Sequence, residues 1–205
     1  PNSVGSSIHQ TASSDTGAAA MRGLYYQWGR PTPLHTAEEF AQIGKELTTV
    51  TGEVSAQTAV SNPTTIYSAD DDWCSDPSAE QRWGWVSHYR EPQKSIYDPC
   101  PPGYRIPDYR LWNDISQYAV EDSSHTKQDF VTGKGVHLSI MSNDVWYPFQ
   151  NAISADDTND KSATTVNLWS SSIDYQSKER RPYVFRYTAS ETSGISSDAE
   201  HAARY

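Results

Sequence analysis

Two cysteines, six histidines and two acidic runs are the residues of this 205-residue chain with the chemistry to bind a metal or attack a substrate. The histidines (His9, His35, His88, His125, His137 and His201) are scattered, with neither an i,i+4 pair nor a His-Glu-x-x-His run, so no zinc site is spelled out. Asp70-Asp71-Asp72 and the run from Asp156 to Asp160 offer carboxylate oxygens to Ca²⁺, but both lack the turn glycine and the terminal bidentate Glu of a calcium loop and read as solvated loops. Gly133-Lys134-Gly135 has neither the upstream Gly nor the following Ser/Thr of a phosphate loop, and no Gly-x-Ser-x-Gly elbow or paired acid and base is present. Cys74 and Cys100 lie in turn-rich surroundings without a Cys-x-x-Cys spacing. The expectation is a protein that is not an enzyme and has no cofactor, with Ca²⁺ the one metal the acidic runs leave open.

The elements that must position these residues draw on an unusual composition. Leu, Ile, Val and Phe together supply 31 of the 205 residues, and the net charge is −10, a combination that in most chains signals disorder. Seven Trp and thirteen Tyr argue the other way. Each large ring buries roughly 150–250 Å², so an aromatic core can replace the missing aliphatic one. The acidic balance repels phosphate backbones, and no Lys/Arg cluster interleaves with aromatics, which excludes a nucleic-acid partner. No run of 18 apolar residues is present, so no membrane-spanning helix is expected. A start at Pro1 without a signal segment reads as a mature or fragmentary product.

Residues 1–22, rich in Ser, Ala, Gly and Thr, read as a flexible or partner-supported lead-in. Alternation of Leu24, Tyr26 and Trp28 with Tyr25, Gln27 and Gly29 predicts a strand with one apolar face, halted at Pro31 and Pro33. A capping box from Thr36 to Glu39, followed by Phe40, Ile43, Leu47 and Val50, predicts a helix near 37–47. Residues 51–95 read as mostly irregular and pinned by Trp73, Trp83 and Trp85. Ser95 to Tyr97 reads as extended, the segment Asp98-Pro-Cys-Pro-Pro-Gly103 as a fixed corner, and Tyr104 to Ile106 as extended again. Asp108 is an N-cap for a helix buried through Leu111, Trp112, Ile115 and Tyr118. Strands follow at Val136 to Ile140, Val145 to Phe149, Val166 to Trp169 and Tyr183 to Tyr187. Helices first and strands last, without βαβ alternation, make the class α+β: loop-rich, with two short helices plus small antiparallel sheets.

Three blocks say more than the pattern does. Leu24-Tyr-Tyr-Gln-Trp-Gly-Arg30, then Lys94-Ser-Ile-Tyr-Asp-Pro-Cys-Pro-Pro-Gly-Tyr-Arg-Ile-Pro107 leading into a Trp-bearing helix, then Leu168-Trp-Ser-Ser-Ser172, occur in this order. Together they resemble a domain at the C-terminal end of Bacteroidota surface proteins, which include fimbrillin-type pilus tip subunits and paralogous surface lipoproteins. The resemblance covers about residues 24–204 and implies a variant of the C-type-lectin-like fold. It makes 23–205 a single lectin-like domain lacking its closing strand, since the chain stops at Tyr205 where family members continue. It also implies a structural role for Tyr26, Trp28, Gly29, Arg30, Asp98, Pro99, Cys100, Gly103, Arg105, Pro107, Trp112, Trp169 and Ser170. Trp28, Trp112 and Trp169 would plug the core, and Arg30 or Arg105 would stack on a ring or hydrogen-bond loop backbone.

Within that likeness, Trp112-Asn113-Asp114 matches the calcium-ligating triplet of sugar-binding C-type lectins, and Glu91-Pro92-Gln93 looks like their Glu-Pro-Asn; the triplet here falls on a helix, so both read as coincidence. Sulfatase-modifying relatives work through redox-active or copper-binding cysteines, a role that Cys74 and Cys100 would have to fill. A structural disulfide is the preferred reading: a Cys74–Cys100 bridge would close a loop of about 26 residues and contribute roughly 3.5 kcal/mol. The alternative pairs Cys100 with a cysteine of the absent closing strand. The expected function is a non-enzymatic cell-surface module, adhesin or pilus-tip-like, binding a glycan or protein ligand through Trp83, Trp85, His88 and Tyr89, or through Trp146 and Tyr147. The alternative is a structural subunit or lipoprotein of an outer-membrane assembly, held by strand exchange with envelope or pilus proteins. Either places the chain outside the cell, anchored through an upstream segment or a partner.

Overall fold

The structure is a computed structural model that describes residues 24–34, 47–69, 72–76, 79–84, 93–113, 131–132, 135–140, 143–148, 165–174, 181–188 and 194–196. The lead-in 1–22 and all but the last residue of the helix expected at 37–47 lie outside the described residues.

Among the described residues the content is α+β: short helices and four small sheets. Two sheets are parallel pairs, which corrects the expectation of antiparallel sheets alone. Strand β1 (Thr48–Thr51) pairs with β3 (Thr65–Ser68), and β2 (Val54–Ser55) pairs with β4 (Cys74–Asp76). The other two are antiparallel: β5 (Val131–Thr132), β6 (Gly135–Ile140) and β7 (Asn143–Pro148) in order, and β8 (Thr165–Ile173), β9 (Pro182–Thr188) and β10 (Gly194–Ser196), with β9 in the middle.

The described residues between 51 and 84 are far from irregular. Ser55 caps the helix α1 (Ala56–Ser61), its hydroxyl accepting from Thr58 N at 3.1 Å, and the i,i+3 pair Ala56 and Ala59 forms the buried face. Strand β3 then carries Ile66 and Tyr67 to opposite faces. Ile66 packs with Leu34 and Leu47, whereas Tyr67 packs with Ala56, Ala59, Trp73 and Cys74. One strand thereby divides two core clusters. Val50 lies in β1, 41% exposed, and does not extend the apolar series from Phe40 and Ile43.

Two further extended expectations are corrected, and a third segment is left without a strand partner. The segment 24–30 forms only one bridge, Tyr25 to Leu34, before a turn at Trp28 and Gly29. Its anticipated polar face is buried as well: the Gln27 amide donates to Tyr67 O, and its Oε1 accepts from Tyr67 N, so the side chain stands in for a neighbouring strand along β3. Ile96 and Tyr97 form a turn that leaves Ile96 87% exposed. Residues 104–106 carry no strand pairing. The second helix, α2 (residues 109–113), starts where expected, with Asp108 Oδ1 accepting from Leu111 N at 2.9 Å, but Leu111 faces solvent and Trp112 alone of the two is buried.

A 3₁₀ segment, Ala79–Gly84, is broken at Arg82 and Trp83, where Trp83 takes a left-handed φ of 54°. For a non-glycine residue this costs on the order of 1–3 kcal/mol. Burial of the whole indole against Trp28 and Ile173 offsets it. Gly84 follows with φ 82°, and a Cβ there would lie 1.5 Å from Gln93 O. Gly103 has φ 85° in open space. Gly103→Ala should therefore cost only the left-handed penalty, about 1–2 kcal/mol, whereas Gly84→Ala also drives a methyl into backbone and should cost more than about 3 kcal/mol. Urea unfolding of both variants checks the ranking, and equal costs would refute it.

Candidate functional site

The three sequence blocks meet at a centre built from indoles and guanidinium groups. Arg82, 1% exposed, lies over Trp28 and Trp73 with its Cζ 5.2 and 5.4 Å from the ring centroids. Its Nη2 donates to both Asp72 carboxylate oxygens at 2.7 and 2.6 Å, and Nη1 donates to Cys74 O at 3.3 Å. The face of this guanidinium also explains Gly29: its φ is 85°, and any Cβ would stand 2.6 Å from Arg82 Nε. Asp72 is thus an ion-pair partner inside the acidic run that offered calcium ligands. Asp70, Asp71 and the run from Asp156 to Asp160 lie outside the described residues, and among those described no group of three His, Cys, Asp or Glu side chains could hold a metal.

Arg30 is fully buried and uses carbonyls instead. Nη1 donates to Thr65 O at 2.7 Å, and Nη2 donates to Ala59 O and to Asn62 O. Two of these acceptors belong to the open C-terminal end of α1, where a cation meets the negative end of the helix dipole. Burial pulls the Arg30 pKa down to about 10, partly offset by Tyr67.

Five indole N–H groups then tie distant segments together. Trp28 donates to Ser170 O at 2.9 Å, Trp73 to Trp28 O at 2.8 Å, Trp83 to Arg30 O at 3.1 Å, Trp112 to Trp169 O at 3.2 Å and Trp169 to Tyr26 O at 2.9 Å. Strand β8 can receive two of these bonds, at Ser170 O and Trp169 O, because its register slips between Trp169 and Ile173. A bulge turns backbone groups away from the ladder, and here it presents Ser170, Ser171 and Ser172, all buried, to other elements. Ser171 N donates to Pro107 O at 2.9 Å, and Ser172 Oγ accepts from Tyr109 N at 3.0 Å.

The Pro-rich corner is organised by Asp98. Its buried carboxylate accepts from Lys94 Nζ at 2.8 Å, Cys100 N at 2.8 Å and Ile106 N at 3.0 Å, which closes the loop across its base. Tyr104 N donates to Pro101 O at 3.0 Å, so Pro102 and Gly103 occupy the central positions of a turn whose third residue needs positive φ. The Arg105 side chain is 38% exposed, with Nη2 4.0 Å from Asp108 Oδ2.

The expected Cys74–Cys100 bridge is not formed, and both residues are thiols. Cys74 donates to Asp76 O at 2.9 Å inside the cluster of Ala56, Ala59, Tyr67 and Trp73, while Cys100 sits on the separate Asp98 loop. Neither is activated. Burial raises the Cys74 pKa against the opposing pull of Arg82, and burial followed by the Asp98 charge pushes Cys100 up to about 12.

The rings nominated for ligand contact fare differently. Trp83 is 2% exposed and Tyr147 7%, packed on Trp28 and on Trp112 respectively, so both belong to the core. Trp85, His88 and Tyr89 lie outside the described residues. Trp146 pairs with His137 across β6 and β7, and only its backbone is described. Missed in the sequence were Gln27, Arg82 and Asp72; an arginine set between tryptophans at 73 and 83 was the available signal. No protein-family model, curated protein or solved structure matches this chain.

Two measurements follow. At pH 8 a thiol held near 12 exposes so little thiolate that native Cys100 should alkylate on the order of 10³-fold more slowly than a free cysteine. Mass spectrometry after denaturation should then find both thiols reactive, and a mass two hydrogens lower would reveal a bridge instead. Tyr26 and Tyr147, each pushed to about 12 by burial and Tyr26 further by Cys100, hold their protons more tightly folded than unfolded. Their contribution to stability is complete below the ordinary tyrosine value of 10.0 and is lost as pH rises through about 12. Urea midpoints at pH 8 and 11 should show this fall, and Tyr147→Phe should shrink it.

Proposed function

We propose that this chain is a non-enzymatic cell-surface module, an adhesin or pilus-tip-like domain with a C-type-lectin-like variant fold, which binds a glycan or protein ligand outside the cell. The observation that carries the reading is the convergence of the three family-like blocks on one centre: Tyr26 to Arg30, Asp98 to Pro107, and Trp169 to Ser172 are joined by indole and serine hydrogen bonds. Residues that resemble a family's scaffold act together here as scaffold, which leaves recognition to surface outside that centre. The raised thiol values of Cys74 and Cys100 weigh against the cysteine chemistry of sulfatase-modifying relatives. No helix among the described residues is long and apolar enough to cross a membrane.

Two experiments test the reading. Protease shaving of intact cells that express the full-length product should release peptides of this chain, and full protection inside the cytoplasm would refute the location. The purified protein on a glycan array should show saturable binding to a defined sugar class. Failure there, with recovery of the chain in a stable envelope complex, would favour the structural-subunit alternative.

A further inference from the structure

Tyr109 opens α2 and Tyr183 lies in β9, and their ring centroids are 4.5 Å apart at an interplanar angle of 43°. This is the short end of aromatic pair separations, so the ring edges are in van der Waals contact. Among the described residues it is the one ring contact between two tyrosines. Both side chains are half-buried, within reach of a small oxidant yet hindered from meeting a second molecule. Their placement is fixed on each side: Tyr109 N donates to Ser172 Oγ at 3.0 Å, and Tyr183 is flanked by Pro182, opposite Ile173, and by buried Val184, opposite Trp169. Asp174, at the end of β8, has its N–H bonded to Arg181 O at 2.6 Å, and after burial its charge is the main influence that raises the Tyr183 pKa. A carboxylate close enough to act on a phenol is a ready acceptor for the proton that the phenol sheds when it loses an electron.

We propose that Tyr109 and Tyr183 form a built-in dityrosine site, which a one-electron oxidant of the haem peroxidase and hydrogen peroxide class closes into a covalent staple between α2 and β9. Each phenol gives up one electron and its hydroxyl proton, Tyr183 to Asp174 and Tyr109 to solvent. The two phenoxyl radicals couple through ring carbons ortho to oxygen, and each ring regains aromaticity as its ortho hydrogen moves to the oxygen. The pair loses two hydrogen atoms in all, and one hydrogen peroxide takes two electrons and two protons to become two waters. This inference does not rest on the proposed ligand-binding role.

The test treats the folded protein with hydrogen peroxide and a haem peroxidase. The expected product is a monomer lighter by two hydrogens, with the blue emission of dityrosine and a cross-link between tryptic peptides 106–110 and 181–186. Tyr109→Phe and Tyr183→Phe keep the ring packing and should each abolish that cross-linked peptide. Asp174→Asn should slow its formation at least about tenfold. Oxidation without this peptide, coupling mainly through other tyrosines or between molecules, or survival of the cross-link in either Phe variant would overturn the proposal.

Discussion

A guanidinium that is 1% exposed is costly in a folded protein unless its charge and most of its donors are met from inside, and around Arg82, where Nη1 and Nη2 are bonded and Nε is not, those demands set the positions of most of the nearby chain. Asp72 must supply a carboxylate, Trp28 and Trp73 must present faces, and Gly29 must lack a side chain so that the group can pass. Arg30 makes a second such demand, and its two terminal nitrogens meet it with three carbonyls, two from the end of α1. A helix of six residues has too few internal hydrogen bonds to stand alone. It persists because a buried cation occupies its unsatisfied end and Ser55 its other end.

The same economy explains how a chain poor in aliphatic residues folds. An indole offers apolar area and one N–H that must find an acceptor when buried. Here each of five indoles sends that donor to the carbonyl of another segment, so apolar burial and long-range connection come from the same side chain. An aliphatic core of equal area would have left those carbonyls to be satisfied by regular sheet. The bulge at Ser170 to Ser172 is the complement: a strand that gives up ladder bonds exposes acceptors for Trp28 and donors for Pro107.

Much of this was legible where the signal is local. Alternation marked β6 and β9, the run from Val166 to Trp169 marked the first half of β8, and Asp108 marked the start of α2. The corner at 98–103 was legible as fixed, but not that Asp98 itself fixes it by accepting from Cys100 and Ile106. Helix α1 escaped because two alanines among Thr, Val and Ser make no apolar period over six residues. Gln27 read as the solvent side of a strand, since alternation cannot anticipate an amide that pairs with β3 from 40 residues away. Trp83 and Tyr147 read as ligand rings because exposure is not written in residue type, and the disulfide was inferred from cysteine count when each thiol has its own separate setting.

A polar centre of this kind shapes what the surface can do. Hydrogen bonds and stacked cations are directional, so they fix the loops at 98–106 and the start of α2 more closely than apolar contacts of the same area would, at no assured gain in stability over a hydrophobic replacement. Tyr109 shows the consequence. Its backbone is held by Ser172, which belongs to the bulge that also anchors Trp28, and its ring meets Tyr183 on the neighbouring strand. A side chain at the rim of the fold is therefore registered to buried Arg82 through a short series of hydrogen bonds that ends at Trp28, on whose ring the guanidinium stacks. Changes that loosen the centre should be felt first at that rim, where the only restraints are the ones transmitted from within.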